Sequence, residues 1–323
     1  MTIRIGLLGA SRIARGAVIA PAMENPDFVV GAVAARNPDR ARAYAAEHGI
    51  PIVVDDYEAL IARDDLDLIY NALPPAGHKR WTIAALEAGK HVLCEKPFAR
   101  NAGEAKDMVA AADASGQKLI EAFHYRLHNV MRAAVALARE GALGRLMFAQ
   151  ALFNGPIPRT PGELRWSAEQ GGGALMDLGC YPVHALRSVI GAEPEIAEAT
   201  CQFDDGVDAA TKASLAFPGG VTARLETSMI TEDFAANLTV IGERGSLEIR
   251  NFVAPQIGCQ FVTTLDGERH EHGVDGPSTY AAQLTYVADV LAGRTPQITG
   301  GADAIANMAT IDAIYRAAGR PEA

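Results

Sequence analysis

From residue 3 to about residue 119 the chain alternates short, apolar, β-prone runs with longer helix-prone stretches. The runs are residues 3–8, 28–34, 68–73, 91–94 and 118–122, and Ala-rich segments at 38–48, 57–62, 78–88 and 102–114 lie between them. That alternation is the pattern of βαβ units on a parallel sheet. Three of the helical segments run into Gly49, Gly89 and Gly116, each a helix stop. Right-handed crossovers then leave few alternatives to a doubly wound sheet.

After about residue 122 the texture changes. A helix is expected over 129–140 and a strand over 146–153, then an irregular Pro- and Gly-rich stretch to 173 and a second helix over 174–190. Strand runs follow, separated by turn signals at Asp204-Asp205-Gly206, Pro218-Gly219-Gly220, Glu243-Arg244-Gly245 and Asp266-Gly267, which reads as an antiparallel meander. Helices over 278–292 and 302–318 complete an α+β domain. The 323 residues therefore divide into an α/β dinucleotide-type domain, 1–122, and a substrate and oligomerisation domain, 123–323.

With 29 Lys and Arg against 39 Asp and Glu, the net charge of −10 lacks the footprint of a nucleic-acid binder. The longest apolar runs, such as 28–35, fall short of the roughly 18 residues that cross a bilayer, and no basic segment leads into a cleavable apolar stretch. The chain is expected in the cytoplasm, without a membrane partner. Cys94, Cys180, Cys201 and Cys259 are scattered, with no zinc-ligand spacing, so they read as small buried hydrophobes and no metal is expected.

The first strand runs into Gly9-Ala10-Ser11-Arg12-Ile13-Ala14, where a dinucleotide fold turns into its first helix and offers backbone N–H groups to a pyrophosphate. Ser11 replaces the second Gly of the usual G-x-G-x-x-G/A, while Ala14 keeps the small residue that lets helix and strand pack. The second strand ends Ala34-Ala35-Arg36, without the carboxylate that accepts from the ribose hydroxyls of NAD. Arg36 suits the 2′-phosphate of NADP, which is favoured over NAD. Further on, the run Leu93-Cys94-Glu95-Lys96-Pro97 places Glu95 and Lys96 at the ligand-binding edge of the sheet.

These motifs make the sequence resemble the Gfo/Idh/MocA oxidoreductases over almost its whole length. The resemblance is carried by the altered Gly-rich turn, by Leu73-Pro74-Pro75-Ala76-Gly77-His78, by the run from Ala88-Gly89-Lys90 to Lys96-Pro97, and by Gly171-Gly172-Gly173-Ala174-Leu175-Met176-Asp177-Leu178-Gly179-Cys180-Tyr181. It implies a Rossmann domain, then a domain with a large, mostly antiparallel sheet whose open face builds homodimers or homotetramers. Many relatives carry His where this chain has Tyr181, which is similar to the branch of dihydrodiol dehydrogenases, NADP-dependent xylose dehydrogenases and glucose-fructose oxidoreductase. By position, the resemblance implies Lys96 and Tyr181 as the catalytic pair. It places Gly9, Ser11, Arg12, Ile13, Arg36, Leu73, Pro74, His78 and Glu95 at the dinucleotide, with Tyr280 over the nicotinamide end.

Asp177, Tyr181 and His184 follow one another at i, i+4 and i+7, one face of a helix, and are expected to wall the substrate. An ordinary phenol is a weak base at neutral pH, and lowering its pKa by two to three units takes about 3 to 4 kcal/mol of phenolate stabilisation, which the Lys96 ammonium is expected to supply. Asp177 suits a substrate hydroxyl, and His184 is the substitute acid or base. Arg165 and Trp166 are candidates for gripping a sugar, and His124 departs from the family pattern near the pocket. The expected activity is NADP-dependent hydride exchange with a hydroxyl or carbonyl carbon of a sugar or cyclic polyol. The alternatives are a ketoreductase for modified sugars or non-sugar diols and carbonyls, a non-catalytic dinucleotide sensor, and a hydrolase or lyase using tightly held NAD.

Overall fold

The structure is a computed structural model and describes residues 2–320. The chain forms two compact units. One holds the chain up to Phe123 together with Tyr280–Ile305, and the other holds His124–Thr279 with the chain from Ala306 onward.

The first unit is built on a six-stranded parallel sheet in the order β3-β2-β1-β4-β5-β6. Its strands are β1 (Ile3–Leu8), β2 (Phe28–Ala34), β3 (Ile52–Val54), β4 (Leu68–Asn71), β5 (His91–Cys94) and β6 (Leu119–Glu121). β1 lies between β2 and β4 and is buried from Ile5 to Leu8, as a strand covered on both faces must be. β3 has no counterpart among the expected runs: it is a three-residue edge strand, half-buried throughout. β4 stops two residues before its apolar run ends, because the Asn71 side chain accepts the Leu73 N–H (3.4 Å) and the chain turns into Pro74. The segment after Thr279 returns to this sheet, where Gln297 Nε2 donates to the Leu119 carbonyl at 2.6 Å.

The second unit carries an eight-stranded sheet in the order β14-β13-β12-β11-β7-β10-β9-β8. Its strands are β7 (Leu146–Asn154), β8 (Glu195–Asp204), β9 (Val207–Ala216), β10 (Thr222–Ser228), β11 (Ala235–Gly242), β12 (Gly245–Arg250), β13 (Gln260–Leu265) and β14 (Glu268–His272). β7 and β10 run parallel, and the other neighbours pair antiparallel. Side chains alternate across the central strands. Ala149 and Ala151 of β7, Ala223 and Leu225 of β10, and Leu238 and Val240 of β11 are buried on one face, against which helix Cys180–Ile190 packs. The opposite face presents Gln150, Lys212, Arg224 and Glu226, half-buried to exposed, with a Lys212–Glu226 ion pair at 3.3 Å. No helix among the described residues is long and apolar enough to cross a membrane.

Candidate active site

In the first unit the turn after β1 depends on Gly9, whose φ of +94° suits glycine and whose absent Cβ would stand 3.1 Å from Leu73 Cδ2. Ser11, in the place of the second glycine, caps the helix that follows: its Oγ accepts the Ala14 N–H at 3.3 Å. Arg12 is exposed, and so is Ile13 at 40%, an apolar side chain left in solvent at the first helical turn. Helix Pro38–His48 braces this turn from outside, Arg40 donating to the Ala10 carbonyl (2.8 Å) and Tyr44 Oη to the Ser11 carbonyl (2.9 Å). Both braces escaped the sequence reading. Their i, i+4 spacing behind Arg36 was the available signal. Arg36 itself is exposed just beyond β2.

The ends of β4 and β5 are tied together by His78, which is fully buried. Its Nε2 lies 2.7 Å from the Leu73 carbonyl, and its Nδ1 lies 3.0 Å from that of Pro97 and 3.2 Å from that of Phe98. Burial pushes its pKa down, against the pull of those three carbonyls. His78 thus clamps the Leu73-Pro74 turn to the segment after Lys96. Glu95 is buried (7% exposed) and accepts from Tyr70 Oη at 2.5 Å and from the Lys96 backbone N–H at 3.3 Å. Tyr280 comes to the same place: burial raises its pKa to about 12, the Glu95 charge adds to the rise, and Lys96 opposes it. The first unit therefore gathers Leu73, Pro74, His78, Glu95, Lys96 and Tyr280 at one edge. With a capped helix start, exposed guanidiniums at Arg12 and Arg36, and no side chain on Gly9, the donor set fits an anionic dinucleotide.

In the second unit the glycine triplet leads into a π-helical turn, Leu175–Gly179, and then helix Cys180–Ile190. Pro182 provides no N–H for a carbonyl one turn back, at the place where the helix is widened. Gly173 has φ +127°, and a Cβ there would collide with the Asp208 carboxylate. Asp208, fully buried, accepts the Leu175 N–H (2.8 Å), Thr211 Oγ1 (2.7 Å) and Tyr315 Oη (2.6 Å). Burial raises its pKa, and these hydrogen bonds oppose the rise. Asp208 and Tyr315 are positioning groups that no motif announces.

Asp177 is engaged by Arg165, Nε to Oδ2 at 2.7 Å, and Arg165 also reaches Glu163 at 3.3 Å. Trp166 spends its indole N–H on the Ile157 carbonyl (2.9 Å), and the Arg159 guanidinium lies 4.1 Å from its ring centre. Tyr181, 4% exposed, has its Oη 3.1 Å from His124 Nε2. His184, 1% exposed, has its Nδ1 2.7 Å from Tyr125 Oη. The structure thus brings Asp177 to Arg165, Tyr181 to His124 and His184 to Tyr125, and it turns Trp166 toward Ile157 and Arg159.

Residues 3–123 match the Gfo/Idh/MocA oxidoreductase family, NAD-binding Rossmann fold, and residues 131–248 match the GFO/IDH/MocA C-terminal domain. The chain belongs to this family. It is 34% identical over 318 residues to D-xylose 1-dehydrogenase (NADP(+)) 2 of Haloferax volcanii, covering 97% of this chain and 96% of that protein. Among solved structures it is similar to the aldose-aldose oxidoreductase of Caulobacter crescentus complexed with glycerol, at 28% identity and TM-score 0.90 over 98% of each chain. It is also similar to KijD10, a 3-ketoreductase from Actinomadura kijaniata with NADP and TDP-benzene, at 28% identity and TM-score 0.88 over 98% of each chain. The parallel sheet followed by a large, mostly antiparallel one is the fold expected from the sequence. As a family member the chain is an oxidoreductase.

Proposed function

We propose that this protein is an NADP-dependent dehydrogenase or reductase that moves a hydride between the nicotinamide and a hydroxyl or carbonyl carbon of a sugar or related cyclic polyol. The observation that carries the reading is the pairing, one turn apart on one helical stretch, of the buried Tyr181 phenol with an Asp177 carboxylate held by Arg165. The phenol exchanges the proton of the reacting oxygen, and the carboxylate accepts from a neighbouring hydroxyl. NADP supplies the hydride acceptor or donor. Lys96 supplies positive charge at the dinucleotide edge of the first unit, where Glu95 fixes its backbone. Gly9, Ser11, Arg12, Ile13, Leu73, Pro74, His78 and Tyr280 shape the dinucleotide site. Arg36 stands where an NAD enzyme carries a carboxylate, which supports NADP, as does the cofactor in the name of the Haloferax relative.

A panel of aldoses and cyclic polyols with NADP⁺, and of the matching carbonyl compounds with NADPH, followed by the absorbance of reduced nicotinamide, tests this directly. Turnover with D-xylose or a related sugar, lost on Tyr181→Phe, is the expected result; a Phe variant with normal turnover removes Tyr181 from the mechanism. We further infer a homodimer or homotetramer in which a second copy covers the polar face around Gln150, Lys212 and Arg224, read by light scattering. A cytoplasmic setting is in keeping with free thiols at all four cysteines.

A further inference from the structure

Tyr181 belongs to a buried chain that includes His124 and Thr279. His124 Nε2 lies 3.1 Å from its Oη, and His124 Nδ1 lies 2.8 Å from Thr279 Oγ1. His124 is 4% exposed and Thr279 is fully buried. We propose that His124 is the proton acceptor behind Tyr181. The proposal rests on the reading of Tyr181 given above and adds a group that never touches the substrate.

The ordinary acidities of a phenol and an imidazolium, about 10 and about 6.5, differ by roughly 3,000-fold. A phenol that must itself be ionised before it takes a proton is a poor base at neutral pH, whereas a neutral imidazole is a good one. With His124 behind it, Tyr181 need not begin as phenolate. The substrate O–H bond breaks and its proton goes to Tyr181 Oη, while the phenol O–H breaks and its proton goes to His124 Nε2. With bound oxidised nicotinamide supplying the hydride acceptor, the substrate would become a carbonyl compound, and the imidazolium would later release one proton to water. In the reductive direction each proton retraces its path.

The hydrogen-bond pattern selects the tautomer this requires. A phenol is a far stronger acid than a threonine hydroxyl, so the ring nitrogen facing Tyr181 gains most as an acceptor. Nδ1 then carries the proton and donates to Thr279 Oγ1, and that bond supports the imidazolium once it forms. In this unit the imidazole's own turn also carries Tyr125 and Arg126, and the helical stretch of Tyr181 also carries Asp177, Cys180 and His184. His184 Nδ1 is bonded to Tyr125 Oη and Asp177 to Arg165, while His124 Nε2 lies at hydrogen-bond distance from the Tyr181 phenol.

The test combines kinetics with an observation on the cofactor-free protein. For oxidation of D-xylose, or of the fastest aldose in the panel, His124→Gln is expected to lower kcat about 100-fold near pH 7, within the ordinary range for one proton-transfer group. The limb of the pH profile that rises toward alkali moves up by two to three pH values, toward the phenol. Gln retains a donor and an acceptor, so a Gln variant with wild-type kcat and pH profile makes His124 a spacer and overturns the proposal. If Tyr181→Phe keeps its turnover, the reading of Tyr181 fails; if that variant is inactive while His124→Gln is unaltered, only the role of His124 fails. In ¹⁵N-histidine-labelled protein without cofactor, NMR is expected to find the His124 proton on Nδ1 and an Nε2 resonance that moves on Tyr181→Phe. A proton on Nε2 in the unsubstituted protein overturns the proposal whichever sugar is turned over.

Discussion

Asp208 offers the sharpest test of how the Tyr181 helix is held. Its carboxylate takes the Leu175 N–H and Thr211 Oγ1 on one oxygen and Tyr315 Oη on the other, with no exposure to water. Asp208→Ala strands three buried donors, at about 1–3 kcal/mol each. The two hydroxyls rotate toward other acceptors and recover part of this, but the backbone N–H does not, so the expected loss is about 4 kcal/mol. Asp208→Asn behaves differently. Its amide oxygen serves Leu175 and Thr211 from the same place, and its NH₂ donates to Tyr315 Oη, so the net change is about 1 kcal/mol or less.

The same pair carries a pH signature. Burial raises the Asp208 pKa, so the native state favours the protonated form. Its contribution to stability is therefore complete below the ordinary carboxylate range, near pH ~4, and is lost as pH rises through the raised native value. Asn cannot ionise. The stability of Asp208→Asn relative to the parent is thus expected to rise from acid to neutral pH. Urea unfolding at pH 5 and pH 8, with equal slopes for parent and variants, reads both effects. An Ala variant within about 1 kcal/mol of the parent, or an Asn variant that loses ground as pH rises, refutes the assignment of Asp208 as a buried acceptor of three bonds. Leu175 lies two residues before Asp177, so Asp208→Asn is expected to keep turnover and Asp208→Ala to lose it along with stability.

Arg36→Glu replaces a cation with a charge that repels a 2′-phosphate, and is expected to raise KM for NADP⁺ at least tenfold, about 1.4 kcal/mol, with a smaller change or a gain for NAD⁺; steady-state kinetics with both cofactors decide it, and an unchanged ratio removes Arg36 from the site. His78→Ala deprives the Leu73, Pro97 and Phe98 carbonyls of their common partner and opens a buried hole, for an expected loss of about 2–4 kcal/mol. Weaker NADPH binding by fluorescence titration should accompany it if the clamp orders the turn at Leu73, and stability loss without a change in binding confines His78 to packing.

How far such features are legible in the sequence depends on what each residue demands of its surroundings. β1, β2 and β5 lie at the expected boundaries because a buried parallel strand asks only for apolar side chains over a few residues. β3 was invisible for the opposite reason: three half-buried residues at an edge leave no pattern. The return of Tyr280–Ile305 to the first unit is equally silent, since it is expressed through contacts such as Gln297 with Leu119, 178 positions apart. At the site, the turn at Gly9, the edge at Lys96 and the helix of Tyr181 were legible because each has a local motif. Their supports were not. Arg40, Tyr44, Asp208, Tyr315 and the Thr279 end of the His124 chain are polar groups whose role depends on partners brought together by the fold. An apolar residue is satisfied by any close-packed neighbour, whereas a buried acceptor needs particular donors in particular directions. Sequence spacing along an element therefore identifies groups on a common face, and only the three-dimensional course of the chain supplies the second party to the bond. The residues that tune Tyr181 are for that reason harder to read than Tyr181 itself.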